Sequence, residues 1–317
     1  MSGETPGPSP ENLEEAGLKL ENIQTKEQGS SQPDRETENL RFRGEERLEK
    51  TLEESRRFVL QTGKRSEEAF YKVYNEKSVV PQEVGAFDRV IQDYPNEISW
   101  TKETLKNLEG VGLAGDRYWL GAVVHDGVPR EGPQGRFYLN PKVESMHEVF
   151  RLLVEESAKE GLHVSAKMPG MKLNRDGSVS APDRLDLIRA DKIVFYFSPK
   201  EEAQSLKVIR NIWYSRSKDF KEVIPRFTTY LDAGDGKVMQ GVGFGQQPQE
   251  QRGSFGSVRA SILARVFEPI GTEEELSKQE LMGRFREIAS DFSVDPERPE
   301  FNLGGRELFP TIAGAAV

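Results

Sequence analysis

The spacing of apolar residues changes character near residue 110, and that change limits the possible fold more than any other feature. Before it, apolar residues are sparse and helically spaced. From Glu45 to Leu60, the residues Leu48, Leu52, Phe58 and Leu60 stand among Glu and Lys/Arg side chains at helical intervals, as on a surface helix. The stretch Ser66 to Trp100 mixes helix-like patches with breaks at Pro81 and Pro95. Thr101 to Leu108 reads as a short helix with Thr101 as its N-cap. After residue 110, short apolar runs bounded by turn residues read as strands: Tyr118–Val124, Arg136–Leu139, Leu162–Met168, Lys192–Phe197 and Phe227–Leu231. Lys192–Phe197 is nearly continuous in apolar residues, as a central strand covered on both faces must be. Between these runs, Val143, Met146, Val149, Phe150, Leu153 and Val154 line one face of a helix, and Leu206, Ile209 and Trp213 line another. The Gly/Gln-rich stretch Ala233–Gly253 reads as a long mobile loop. One helix is expected from near Ser257, another over Thr272–Ser290, and then an irregular tail. Helices interleaved with strands specify a layered core, α/β or α+β.

A chain of 317 residues can bury a full core in one large domain or two small ones. Its polarity is concentrated at the start: residues 1–50 hold 12 acidic and 7 basic side chains, a net of −5, with almost no aromatic or β-branched residues. Such a segment cannot bury enough apolar surface to offset its ordering entropy. The expected organisation is a disordered acidic tail over residues 1–40, a helical N-terminal region over 41–110, and a mixed domain over 111–317. With no cysteine, the chain has no disulfide, no thiolate nucleophile and no Cys-based zinc site. No apolar run reaches membrane-spanning length and no signal-peptide core opens the chain, so a cytoplasmic location is expected. A net charge of −9 and a pI near 5.2 argue against general nucleic-acid binding but allow a local basic pocket.

Five distant segments carry groups suited to a phosphate monoester: Gly135–Pro141, His163–Lys167, Arg189 to Phe197, Pro225–Thr228 and Ser254–Arg259. Arg136 and Tyr138 alternate onto one face of their strand, opposite Phe137. A guanidinium fork grips phosphate oxygens, and a phenol can donate a proton. Strand alternation puts His163, Ser165 and Lys167 together on one face. A lysine facing a cleft with arginines nearby gives up its proton more readily and can act as a base. Taken alone, the residue reads more readily as an edge-strand lysine that deters aggregation. Arg189 precedes the central strand, with Asp191 in place to orient it. With Ser257 as N-cap, Arg259 falls in a first helical turn, where free N–H groups favour an anion. A solvated surface arginine is the plain alternative. His147, on the polar side of its helix, reads as incidental. No His/Asp/Glu set has metal-ligand spacing, and no P-loop, dinucleotide fingerprint or nucleophile elbow occurs.

In this order the strings Gly135-Arg136-Phe137-Tyr138-Leu139-Asn140-Pro141, Arg189-Ala190-Asp191 through Tyr196, and Ser254-Phe255-Gly256-Ser257-Val258-Arg259 resemble the HopA-like type III effector family. That family includes the LanY-type lyases of class V lanthipeptide and thioamitide biosynthesis. The resemblance covers roughly residues 115–270, with a more distant likeness to the OspF/SpvC phosphothreonine lyases. It implies an α+β lyase fold that eliminates phosphate from phosphoserine or phosphothreonine in a precursor peptide, leaving dehydroalanine or dehydrobutyrine. No metal or organic cofactor is implied. The implied partners are the phosphorylated precursor, a kinase that supplies the phosphate, and a cyclase, with no nucleic acid or membrane. Residue by residue, the resemblance makes Lys167 the base and Arg136, Arg189 and Arg259 the phosphate ligands, with Arg184 as a substitute for Arg189. The acid is Tyr138, where the lyases carry histidine, or His163, or none. A non-catalytic phosphopeptide binder or effector working with a kinase is the competing class.

Overall fold

In the computed structural model the described residues are 35–74, 84–115, 118–129, 131–174, 176–248, 253–268 and 276–315. The segment expected to be an acidic tail lies outside them up to residue 34, as do Pro81 and the start of the expected Thr272 helix. Three helices come first: α1 (Arg35–Thr62), α2 (Glu67–Tyr74) and α3 (Val84–Lys106). Pro95 lies inside α3, so the break expected there and the separate helix from Thr101 are one continuous helix. Then follow β1 (Val111–Gly115), β2 (Trp119–Val124), β3 (Gly135–Leu139), α4 (Met146–Lys159), β4 (Val164–Pro169), β5 (Lys172–Leu173), β6 (Val179–Ser180), α5 (Arg184–Leu187) and β7 (Ile193–Phe197). The chain continues through α6 (Glu202–Arg216), β8 (Thr229–Asp232), β9 (Val238–Gln246), α7 (Phe255–Phe267), α8 (Lys278–Asp291), α9 (Gly305–Leu308) and α10 (Pro310–Ala315).

Seven strands form one sheet in the order β1-β2-β4-β7-β3-β9-β8, with every neighbouring pair antiparallel. This is the expected α+β class, in its antiparallel form. The apolar run of β7 sits at the sheet's centre because it meets a buried layer on each side. Ile193, Phe195 and Phe197 face the first layer, which α3, α4 and α6 cover, and Phe137 stacks on Phe197 with ring centroids 4.4 Å apart. Val194 faces the second layer with Tyr138, beneath α1, α2, α7 and α8.

The stretch read as a mobile loop contains β9, which pairs with both β3 and β8. Its glycines serve close packing. A Cβ at Gly245 would lie 2.6 Å from the Phe255 ring, so only glycine lets α7 settle onto the sheet. Gly256 plays the same part between helices: a Cβ there would lie 2.5 Å from the Tyr74 ring of α2. The tail read as irregular forms α9 and α10, which bury Phe309 and Ile312 in the first core. His147, expected on a polar face, is buried where α4 meets α3. Its Nδ1 lies 3.2 Å from Thr101 Oγ1, and its ring meets Tyr94 edge-on at 4.8 Å.

Candidate functional site

Strand register brings the sequence-distant candidates together. Arg136 of β3 lies opposite Tyr196 of β7, which lies opposite Ser165 of β4; one step along, Tyr138 lies opposite Val194 and Val194 opposite Lys167. Alternation therefore sends Arg136, Tyr138, Tyr196 and Lys167 to the second face. Aromatic rings support the cations there. The Arg136 guanidinium sits 4.8 Å from the Tyr196 ring centroid. Lys167 Nζ sits 4.4 Å from the centroid of Trp119 and 5.7 Å from that of Tyr196. Arg189 lies 5.6 Å from Trp119 and 5.9 Å from Tyr71. Three cations thus share a platform of three rings, each held over an electron-rich face.

Only Arg189 of the three has an acidic partner among the described residues. Its Nε and Nη2 donate to Asp191 at 2.8 and 2.9 Å, and Nη2 reaches Tyr71 Oη at 3.4 Å. Burial works against its charge, but Asp191 and Tyr71 outweigh that and raise its pKa. The fork is held in one orientation, as the sequence suggested for Asp191. Arg136 is only 9% exposed and has no carboxylate beside it among the described residues, and its Nε is buried without a hydrogen-bond partner. The neighbouring Tyr138 phenol oxygen is likewise buried, with the Arg136 side chain as its polar neighbour. Burial pushes that phenol up to about 12 while the Arg136 charge pulls it down, so it keeps its proton at neutral pH.

The other expected members are placed differently. His163 precedes β4, four residues from Lys167, which is about 13 Å along a strand. It is turned to its own end of the sheet, with Nδ1 3.6 Å from Asp126 and its ring 5.4 Å from that of His125. The right face was read, but strand rise carries His163 beyond reach of the cluster. Arg184 opens α5, and its side chain lies outside the described residues. Arg259 does not occupy a first turn. The N-cap of α7 is Ser254, whose side chain accepts from Ser257 N–H, so Arg259 falls in the second turn. It is fully buried over the Phe255 ring and donates to the carbonyls of Pro299 at 3.1 and 2.8 Å and Phe301 at 3.4 Å. Burial lowers its pKa to about 9, the nearby Arg136 adds to that, and its Nη1 is buried without a hydrogen-bond partner beside Arg136 and Tyr138. Arg226 is also structural: it donates to Val73 O at 3.1 Å and Thr51 Oγ1 at 3.2 Å and pairs with Glu54, tying α1 and α2 to the domain.

Sequence reasoning missed Trp119 and Tyr71. Trp119 alternates onto the face of Gly121, the residue opposite Lys167, so pairing β2 with β4 would have found it. Tyr71 lies on a helix from a region without any recognisable motif, and nothing local marks it.

Solved structures share this architecture. An effector protein from Pseudomonas syringae pv. syringae strain 61 is 12% identical over 82% of this chain and 98% of its own, with a TM-score of 0.58. An effector from Pseudomonas syringae pv. tomato strain DC3000 is 13% identical over 80% and 96%, with a TM-score of 0.54. At such identity the likeness is one of fold. No curated protein sequence matches. The HopA1 effector protein family does match, over residues 118–301, a span that contains Arg136, Tyr138, Lys167, Arg189 and Asp191. It takes in more than half of the chain, which therefore belongs to the HopA1 effector protein family.

Proposed function

We propose that the protein is a metal-independent lyase for phosphoserine and phosphothreonine in a peptide, of the kind that makes dehydroamino acids in lanthipeptide-type biosynthesis. The observation that carries the proposal is Arg136: a nearly buried guanidinium with no carboxylate, beside Lys167 and a clamped Arg189. Burying a charge without a counterion is costly, and a phosphate dianion supplies the missing charge.

In this reading Arg136, together with the Nη1 that Asp191 leaves to Arg189, grips the phosphate oxygens and stabilises the charge that grows as the C–O bond breaks. Lys167 removes the α-proton; those electrons form the Cα–Cβ double bond, and phosphate leaves with the C–O pair. Tyr138, protonated and next to Arg136, donates a hydrogen bond to the leaving phosphate. The HopA1 family match supports an effector-type fold, and the lyase chemistry is drawn from the cation cluster and from the resemblance to lyases. A peptide-binding effector without chemistry is the second reading. It is favoured by Tyr138 standing where the lyases carry histidine, buried under Phe255 at 5.7 Å between centroids.

The test separates grip from chemistry. Calorimetric titration with a phosphothreonine peptide and a phosphate-release assay are run on the wild type and on Lys167→Ala. The expected result is affinity within about threefold and elimination slowed by at least about 100-fold. Equal loss of both would remove Lys167 as the base, and binding without any release in the wild type would favour the silent binder.

A further inference from the structure

Beside the cluster, past Trp119, the surface opens into a cleft of about 140 Å³ lined by Tyr118, Trp119, Pro169, Asp186, Arg189 and Asp191. Its charge is opposite to that of the cluster. Asp191 is committed to Arg189. Asp186 is half-buried and forms no ion pair among the described residues. Among the described residues the nearby cations are taken, Arg189 by Asp191 and Lys172 by Asp183 at 2.5 Å. Burial pushes the Asp186 carboxyl above its ordinary range, against the pull of Arg189, so a cation arriving beside it would be stabilised. The cleft walls are Tyr118 and Trp119, ring types that receive a cation on their faces.

We infer that this cleft is a second substrate subsite, which takes a lysine or arginine side chain lying close in sequence to the phosphorylated residue. Trp119 divides the two subsites, with Lys167 and Arg189 both within 6 Å of its ring. An extended peptide advances about 3.3 Å per residue, so a basic side chain one to three positions from the phosphoresidue spans the divider. Phosphate lies toward Arg136 and Lys167, and the basic side chain lies against Asp186. The split of charge fixes the direction of the peptide as well as its composition. The inference rests on the phosphopeptide reading above and names the peptide that reading would select.

The probes are fluorescein-labelled Ala/Gly peptides with one central phosphonate analogue of phosphothreonine, whose C–P bond cannot eliminate. One lysine is moved through the flanking positions, with all-Ala and single-Glu controls, and binding is read by anisotropy. The structure predicts one lysine position that binds at least about tenfold tighter than the all-Ala peptide. Asp186→Asn should bring that ratio below about twofold, and Asp186→Lys should invert it in favour of Glu. Equal affinity for all peptides in the wild type, or a lysine preference that survives Asp186→Asn, overturns the subsite and leaves the phosphopeptide reading standing. If no phosphonate peptide binds, the phosphopeptide reading fails and the subsite falls with it.

Discussion

Two arginines with similar burial do opposite work here. Arg259 answers main-chain carbonyls at Pro299 and Phe301, so it holds the segment before α9 against α7. Among the described residues Arg136 meets no group that carries a negative charge. Arg259→Ala is predicted to lower unfolding free energy by about 3 kcal/mol, because buried acceptors lose their donor. Arg136→Met is predicted to raise it by about 1 kcal/mol while abolishing phosphopeptide binding, since a methionine fills the space without an unpaired charge. Denaturant unfolding and titration of both variants check this pair. A destabilised Arg136→Met that still bound phosphopeptide would sink the ligand role. Arg136, Lys167 and Arg189 could all be read from the sequence because alternation and strand-end position are local properties. Arg259 was misread because Ser254 and Ser257 can both cap a helix, and packing of Phe255 against Tyr138 and Tyr74 chose the earlier one.

At the scale of elements, the interface between α3 and α4 contains a titrating group. Burial lowers the His147 pKa to about 4, against an ordinary value of 6.5. The unfolded chain therefore binds a proton between these values that the folded protein refuses. The stability at issue is complete above pH 6.5 and is lost as pH falls toward 4, amounting to about 3 kcal/mol. Denaturant unfolding at pH 7 and pH 4 should show a loss larger by about that amount in the wild type than in His147→Gln; equal losses would contradict it. The helix positions from Val143 onward were legible because an amphipathic stripe survives in any fold. β9 was not, because Gly243 and Gly245 look like loop residues until Ile224, Thr228 and Phe255 are seen filling the space above them.

At the scale of the molecule, the N-terminal helices complete the site from outside the family-matched span. Tyr71 reaches Arg189, and Arg226 fastens the helices that carry it. Arg226→Met is predicted to cost about 3 kcal/mol, leaving Glu54 without its partner, and to raise amide exchange in α2. Unchanged exchange there would show that packing alone holds α2 in place. This dependence could not be read from the sequence, since contacts between residues 71 and 189 leave no periodic trace. The central claim is chemical, and one measurement reaches it directly: mass spectrometry of a phosphothreonine peptide after incubation with the protein, with and without EDTA. The account predicts a loss of about 98 Da, one phosphoric acid, that is insensitive to EDTA and absent in Lys167→Ala. A loss of about 80 Da, the mark of hydrolysis, or an unchanged peptide would contradict it.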